Sequence, residues 1–145
     1  MIKHYKGGAH IEWYPKTAST AYAFNDAVTI LSTVAGVGTL AKVVDGSTYI
    51  YGLIQQTIAS TDSDYAVASL VPVLVGDVDS EFVFDVSTGS AATTDIGEMC
   101  DLDDENSLDV TDHTTGQVRI TKVLSATKVV GKFNKGFGLE IPVTV

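Results

Sequence analysis

Short runs of alternating side-chain character limit this chain more than any other feature. Glu81-Phe82-Val83-Phe84-Asp85-Val86 puts Phe82, Phe84 and Val86 on one face of an extended segment. Gln117-Val118-Arg119-Ile120-Thr121 does the same with Val118 and Ile120. Val, Ile and Thr together number 45, against 28 for Leu, Glu, Gln, Lys, Arg and Met, so the residue choice favours strands as well. Further strands are expected over 28–34, 39–44, 48–54, 67–75, 128–133 and 139–145, with Pro72 and Pro142 placing parts of two of them at edges or bulges. Turn residues punctuate these runs at 35–38, 45–47, 88–90, 115–116 and 134–136, and Asp45-Gly46 is the strongest hairpin signal. The expectation is an all-β fold, a small barrel or sandwich, with at most one short helix over 94–100 capped by Thr94.

The first 24 residues read differently. They hold five of the twelve aromatics (Tyr5, Trp13, Tyr14, Tyr22, Phe24) and three of the nine basic residues, interrupted by Gly7-Gly8 and Pro15. Aromatic side chains give contact area at low entropic cost, so such a segment either folds back over its own barrel or docks on another subunit. The division expected is an N-terminal arm over 1–24 and a β-barrel domain over 25–145.

Charge is unevenly spread. The net of −9 divides into +2 over residues 1–42, −15 over 43–118, where there is no Lys or Arg, and +4 over 119–145. The acidic middle repels phosphate, which argues against direct nucleic acid binding. No uncharged stretch is long and apolar enough to span a bilayer as a helix, and the first residues lack the apolar core of a secretory signal. The chain is therefore expected to be soluble, with no membrane partner. Cys100 is the single cysteine, so no intrachain disulfide is possible.

Tests for chemistry leave little. His4, His10 and His113 with Cys100 have no zinc-ligand spacing. Asp112-His113 lacks a nucleophile elbow, and Gly36-Val37-Gly38 lacks the third glycine and the helix of a phosphate cradle. Acids flank Cys100, the wrong setting for a nucleophile. The best metal candidate is the run from Asp101 to Asp112. There Asp101, Asp103, Glu105, Asp109 and Asp112 approximate a calcium loop, but Asn106 stands where a Gly is wanted and Asp112 where a closing Glu is wanted. An acidic solvated loop is the preferred reading, with no metal, no cofactor and no catalytic residue. Asp77, Asp79, Glu81 and Asp85 read as a solvated outer face.

A set of phrases between Val71 and Phe133 resembles the β-domain of small capsid decoration (cement, head-stabilising) proteins of tailed double-stranded DNA phages. They are Val71-Pro72-Val73, then Glu81-Phe82-Val83-Phe84-Asp85-Val86 ending in Ser87-Thr88-Gly89. Thr94-Asp95-Ile96-Gly97 follows, leading into Cys100-Asp101-Leu102, and an acidic loop precedes Leu108-Asp109-Val110. Lys128-Val129-Val130-Gly131-Lys132-Phe133 closes the set, and 46–52 with Thr57-Ile58-Ala59 also fits. The resemblance implies a β-barrel or β-tulip domain with an extended N-terminal arm. It implies a non-enzymatic virion protein on the outer capsid surface, made in the host cytoplasm. It also implies a homotrimer whose main partner is the major capsid protein, clamped against internal DNA pressure. Mapped onto this chain, the arm's capsid-interface residues are Ile2, Tyr5, Ile11, Trp13, Tyr14 and Tyr22. The alternatives are another phage structural β-protein (tail tube, baseplate or fibre-associated), or a calcium- or carbohydrate-binding module.

Overall fold

Strands form in the computed structural model wherever the sequence alternates; it describes residues 1–32, 37–44, 50–77 and 79–133. In chain order they are β1 (Ile2–Lys6), β2 (Ala9–Pro15), β3 (Ala27–Ser32), β4 (Val37–Lys42), β5 (Gly52–Ile54), β6 (Leu70–Gly76), β7 (Glu81–Thr88), β8 (Met99–Asp104), β9 (Ser107–Asp109), β10 (Val118–Ser125) and β11 (Lys128–Phe133). The protein is all-β. Where a short helix was expected over 94–100, the chain makes one 3-10 turn at Thr93–Asp95, its Ala92 N–H capped by the Asp95 carboxylate at 2.7 Å, and Cys100 lies on β8. Gly97 and the strand pairing of Met99 with Arg119 stop the turn from growing into a helix. The turns at 35–36, 45–47 and 134–136, residues 48–49, Val34 and the strand at 139–145 lie outside the described residues.

The strands make two sheets. In the first, β7 pairs with β11, β11 with β10, β10 with β8 and β8 with β9, and β9 returns parallel to β7, which closes a five-stranded barrel. Strand β1 adds to β7 beside β9. In the second, the order is β2-β6-β5-β3-β4, and a parallel bridge between Lys16 and Leu40 brings the last strand round to the first. Closure removes most of the exposed edges that a strand-rich chain would otherwise present. Phe82 and Phe84 are fully buried as alternation requires, and both meet Phe133 edge-on at 5.3 Å between ring centres. Pro72 is not at an edge, since β6 lies between β2 and β5. Its carbonyl accepts from Gln55 N–H, so its missing donor faces the same side, one residue past the end of β5.

The expected N-terminal arm does not stand apart from the barrel. Residues 2–15 run antiparallel to residues 70–84 as one ribbon that passes through both sheets, from Pro15 opposite Leu70 to Ile2 opposite Phe84. Of the two courses open to residues 1–24, the described segment folds back on its own chain, and Gly7-Gly8 is the corner at which the ribbon leaves one sheet for the other. Gly7 has φ +93°, and a Cβ there would sit 2.8 Å from the Ser80 Cα. Ser80 is buried and ties the corner: its hydroxyl donates to the Gly8 carbonyl and accepts from Asp77 N–H at 2.8 Å. Gly7→Ala combines a left-handed conformation with a backbone collision and is expected to cost about 1–3 kcal/mol. Urea unfolding would read it directly, and a wild-type midpoint would mean that the corner relaxes freely.

A second junction joins the sheets at the tip of the β8–β9 hairpin. Ala27 N–H donates to the Glu105 carbonyl at 2.7 Å, and Lys42 pairs with the Glu105 carboxylate at 3.3 Å. Asp26 is buried beside them and accepts from Ala23 N–H at 2.8 Å. Burial, reinforced by the Glu105 and Asp104 carboxylates, pushes its carboxyl above the usual range. A raised folded-state value means that ionised Asp26 penalises the fold at neutral pH. Its contribution is fully present below about pH 3.9 and is lost as the pH rises through the raised value. Asp26→Asn should therefore raise the denaturation midpoint at neutral pH and lose that advantage in acid. Asp85 has the opposite sign, because Lys128 and the Met1 ammonium hold its carboxyl below the usual range. Asp85→Asn should destabilise at neutral pH and be silent in acid. Midpoints of both variants at the two pH values check the signs; equal shifts at both would contradict them.

Candidate interaction face

The best-defined surface feature is built by β2 and β6. Pairing sets Ile11 opposite Leu74, Trp13 opposite Pro72 and Pro15 opposite Leu70, and directly opposed residues share a face. The intervening residues Val71, Val73 and Val75 are buried, so these three apolar pairs lie on the other face. There Ile11, Trp13 and Leu70 are exposed, Pro15, Pro72 and Leu74 are half-buried, and Leu74 also packs against the core. Trp13 is 62% exposed, Leu70 60% and Ile11 49%. A contiguous apolar ladder of this kind in solvent is the usual mark of a contact surface. On the opposite face of β2, the Tyr51 hydroxyl donates to the Glu12 carboxylate, and Tyr14 packs against Tyr51 at 5.3 Å between rings. Tyr51, then His10 at 3.2 Å, hold the Glu12 carboxyl below its usual range. On that face only Tyr14 is half-buried; His10 and Glu12 are exposed.

The six residues expected at the interface therefore separate. Ile2 is fully buried in the core, and Tyr22 is buried with its hydroxyl donating to the Leu40 carbonyl at 2.7 Å. Tyr14 is half-buried. Tyr5, Ile11 and Trp13 are exposed, Tyr5 on the neighbouring strand β1. Leu70, Pro72 and Leu74 were missed. The run from Leu70 to Val75 is apolar at every position, so no alternation marks which side stays in solvent.

The carboxylates of the candidate calcium loop are not brought together. They lie on the β8–β9 hairpin and the turn after it, and each is committed elsewhere. Asp101 is fully buried and accepts backbone N–H groups from Thr115, Gly116 and Gln117. Asp103 accepts from Ser87 and Thr88, and Glu105 pairs with Lys42. Asp109 and Asp112 cap their own turns through Thr111 and Thr114. The register of β8 shifts between Leu102 and Asp104, and Asp101 is buried while Asp103 is exposed, the reverse of what one cation requires. Among the described residues, no three His, Cys, Asp or Glu side chains could hold a metal ion.

Cys100 is buried, and its thiol is pushed up to about 12 by burial and then by the charges of Asp95, Glu98, Asp101 and Asp109. His113 Nδ1 lies 3.8 Å from its sulfur but 2.7 Å from the Met99 carbonyl. A carbonyl only accepts, so Nδ1 carries the proton and cannot take one from the thiol. His4 and His10 line an open groove of about 500 Å³ at the ribbon corner with Gly7, Gly8, Ala9, Ile11 and Leu74. Asp77, Asp79, Glu81 and Asp85 are partly exposed or exposed; Glu81 pairs with Lys6 at 3.6 Å. No helix of the described residues is long and apolar enough to cross a membrane. No protein-family model, curated protein or solved structure matches the chain. Its described surface is suited to contact and shows no assembled nucleophile and base.

Proposed function

We propose that this protein is a non-enzymatic structural component of a tailed-phage virion, bound to the outer capsid surface. There it stabilises contacts between major capsid protein subunits and acts as a homotrimer, with no direct hold on nucleic acid or membrane. The observation that carries the reading is the exposed apolar surface of Ile11, Trp13 and Leu70, a surface with no evident purpose on an isolated barrel. The phrases resembling decoration proteins add support, because they fall on the strands that build the two sheets: Val71-Pro72-Val73 on β6, Glu81–Val86 on β7, Cys100-Asp101-Leu102 on β8 and Lys128–Phe133 on β11. The ribbon that carries the ladder runs through both sheets, so a load on it would spread over the whole barrel. Many modest contacts repeated over a symmetric shell would sum through multivalency.

Co-sedimentation with undecorated phage capsids tests the reading. The protein is expected to pellet with capsids and to raise their resistance to heat. Trp13→Ala with Ile11→Ser should weaken binding at least about tenfold without changing the fold. Absence of binding by the intact protein, or fibres and rings larger than a trimer in electron micrographs of it alone, would overturn the proposal in favour of another phage structural part.

A further inference from the structure

Two faces of this molecule are complementary in charge, and neither is satisfied among the described residues. Six of the nine basic residues lie on β1, β10 and β11 of the first sheet. The acids of β7 between them are used: Glu81 by Lys6 at 3.6 Å, and Asp85 by Lys128 at 2.5 Å and the Met1 ammonium at 2.7 Å. Lys3, Arg119, Lys122 and Lys132 have no carboxylate partner among the described residues. Arg119 stands directly opposite Lys132, and Lys3 and Lys122 end a row that runs through Val83 and Val130. Like charges opposed on a sheet are destabilising unless an anion sits over them.

The apolar ladder of β2–β6 has the reverse rim. Asp62 and Asp64 precede its Leu70 end, with Asp64 3.5 Å from the Ser69 hydroxyl, and Asp77 and Asp79 follow its Gly76 end. None of the four has a cationic partner among the described residues. Two ladders docked on each other would set aspartates against aspartates. The basic sheet face fits instead, because lysine and arginine stems cover apolar surface while their heads reach carboxylates, and a cation can lie over the Trp13 ring.

We propose that the occupant of the ladder is a second copy of this chain, docked through its Lys3, Arg119, Lys122 and Lys132 face. The two surfaces differ, so the contact is head-to-tail and closes only as a ring. It rests on the homotrimer of the proposed function and names the surfaces by which copies meet. Loss of the ladder then weakens capsid binding by removing the multivalency of the assembled copies.

Analytical ultracentrifugation of the free protein tests it. Association is expected in about 0.05 M salt and should weaken at least about tenfold in about 0.5 M salt, as screening predicts. Arg119→Glu with Lys132→Glu, and separately Trp13→Ser with Ile11→Ser, should each stay monomeric while keeping native circular dichroism. Mixed together they should form a heterodimer, since each retains one intact face. A chain that stays monomeric at low salt, association that survives either double variant, or a mixture that remains monomeric would overturn the proposal. A trimer held by other surfaces would refute this contact and leave the capsid reading intact. Loss of capsid binding without loss of association would do the reverse.

Discussion

Asp101→Ala is expected to destabilise the protein by about 3–5 kcal/mol. The Asp101 side chain is fully buried and receives three consecutive backbone N–H groups, from Thr115 at 2.8 Å, Gly116 at 2.5 Å and Gln117 at 3.4 Å. Gly116 reaches φ +71° to turn its N–H toward the carboxylate, so the segment is shaped as an anion nest around this one group. Removing the carboxylate leaves those donors in the interior, at about 1–3 kcal/mol for each that finds no water. Gln117 anchors the same place, its side-chain oxygen accepting from Leu102 N–H at 2.8 Å. The loss should therefore spread to the pairing of β8 with β10. Urea unfolding followed by tryptophan fluorescence gives the magnitude. Asp101→Asn, which keeps one acceptor oxygen, should fall between Ala and wild type. An Asn variant no better than Ala would contradict the acceptor role.

Lys16→Ala comes next, at about 3 kcal/mol. Lys16 is fully buried, with no carboxylate partner among the described residues. Its ammonium donates to the carbonyls of Tyr65 at 3.0 Å and Val67 at 2.5 Å, and its backbone N–H donates to Ser69 at 3.0 Å. A buried charge is tolerated only when hydrogen-bonded, and bonds from a charged donor are worth about 1.5–3 kcal/mol each. Here they pin the segment before β6, which delivers Leu70 to the ladder. Lys16→Met keeps the apolar stem and removes only the ammonium, so it should recover part of the loss. Amide exchange over 62–69 should speed up in both variants. A Met variant with wild-type stability and unchanged exchange would show that the stem alone matters.

Alternation carries farthest in the strands that bury one face. Phe82, Phe84, Val118 and Ile120 are inward as their spacing dictates, because a strand with one buried face has a single acceptable register. The expected strand at 128–133 coincides with β11. Alternation carries least where both faces of a strand are apolar, as in β6, and where the exposed face is the apolar one, as at Ile11 and Trp13 of β2. In those strands the pattern names residues without naming sides. The acids along 101–112 read as a solvated loop, with a calcium loop as the weaker alternative; in the fold Asp101 is buried and each carboxylate has a different partner.

The sequence by itself determined that this chain is all-β, that its core is aromatic and β-branched, and that its charge is divided along its length. Those properties depend on neighbours within a few residues, where backbone sterics and alternation act. Tertiary structure decided the rest. The first fifteen residues became a ribbon through both sheets because their hydrogen-bonding partners lie at 70–84, beyond the reach of any local pattern. It also decided that Ile2 and Tyr22 are core while Trp13 is surface, since burial is settled by what packs on top of a residue.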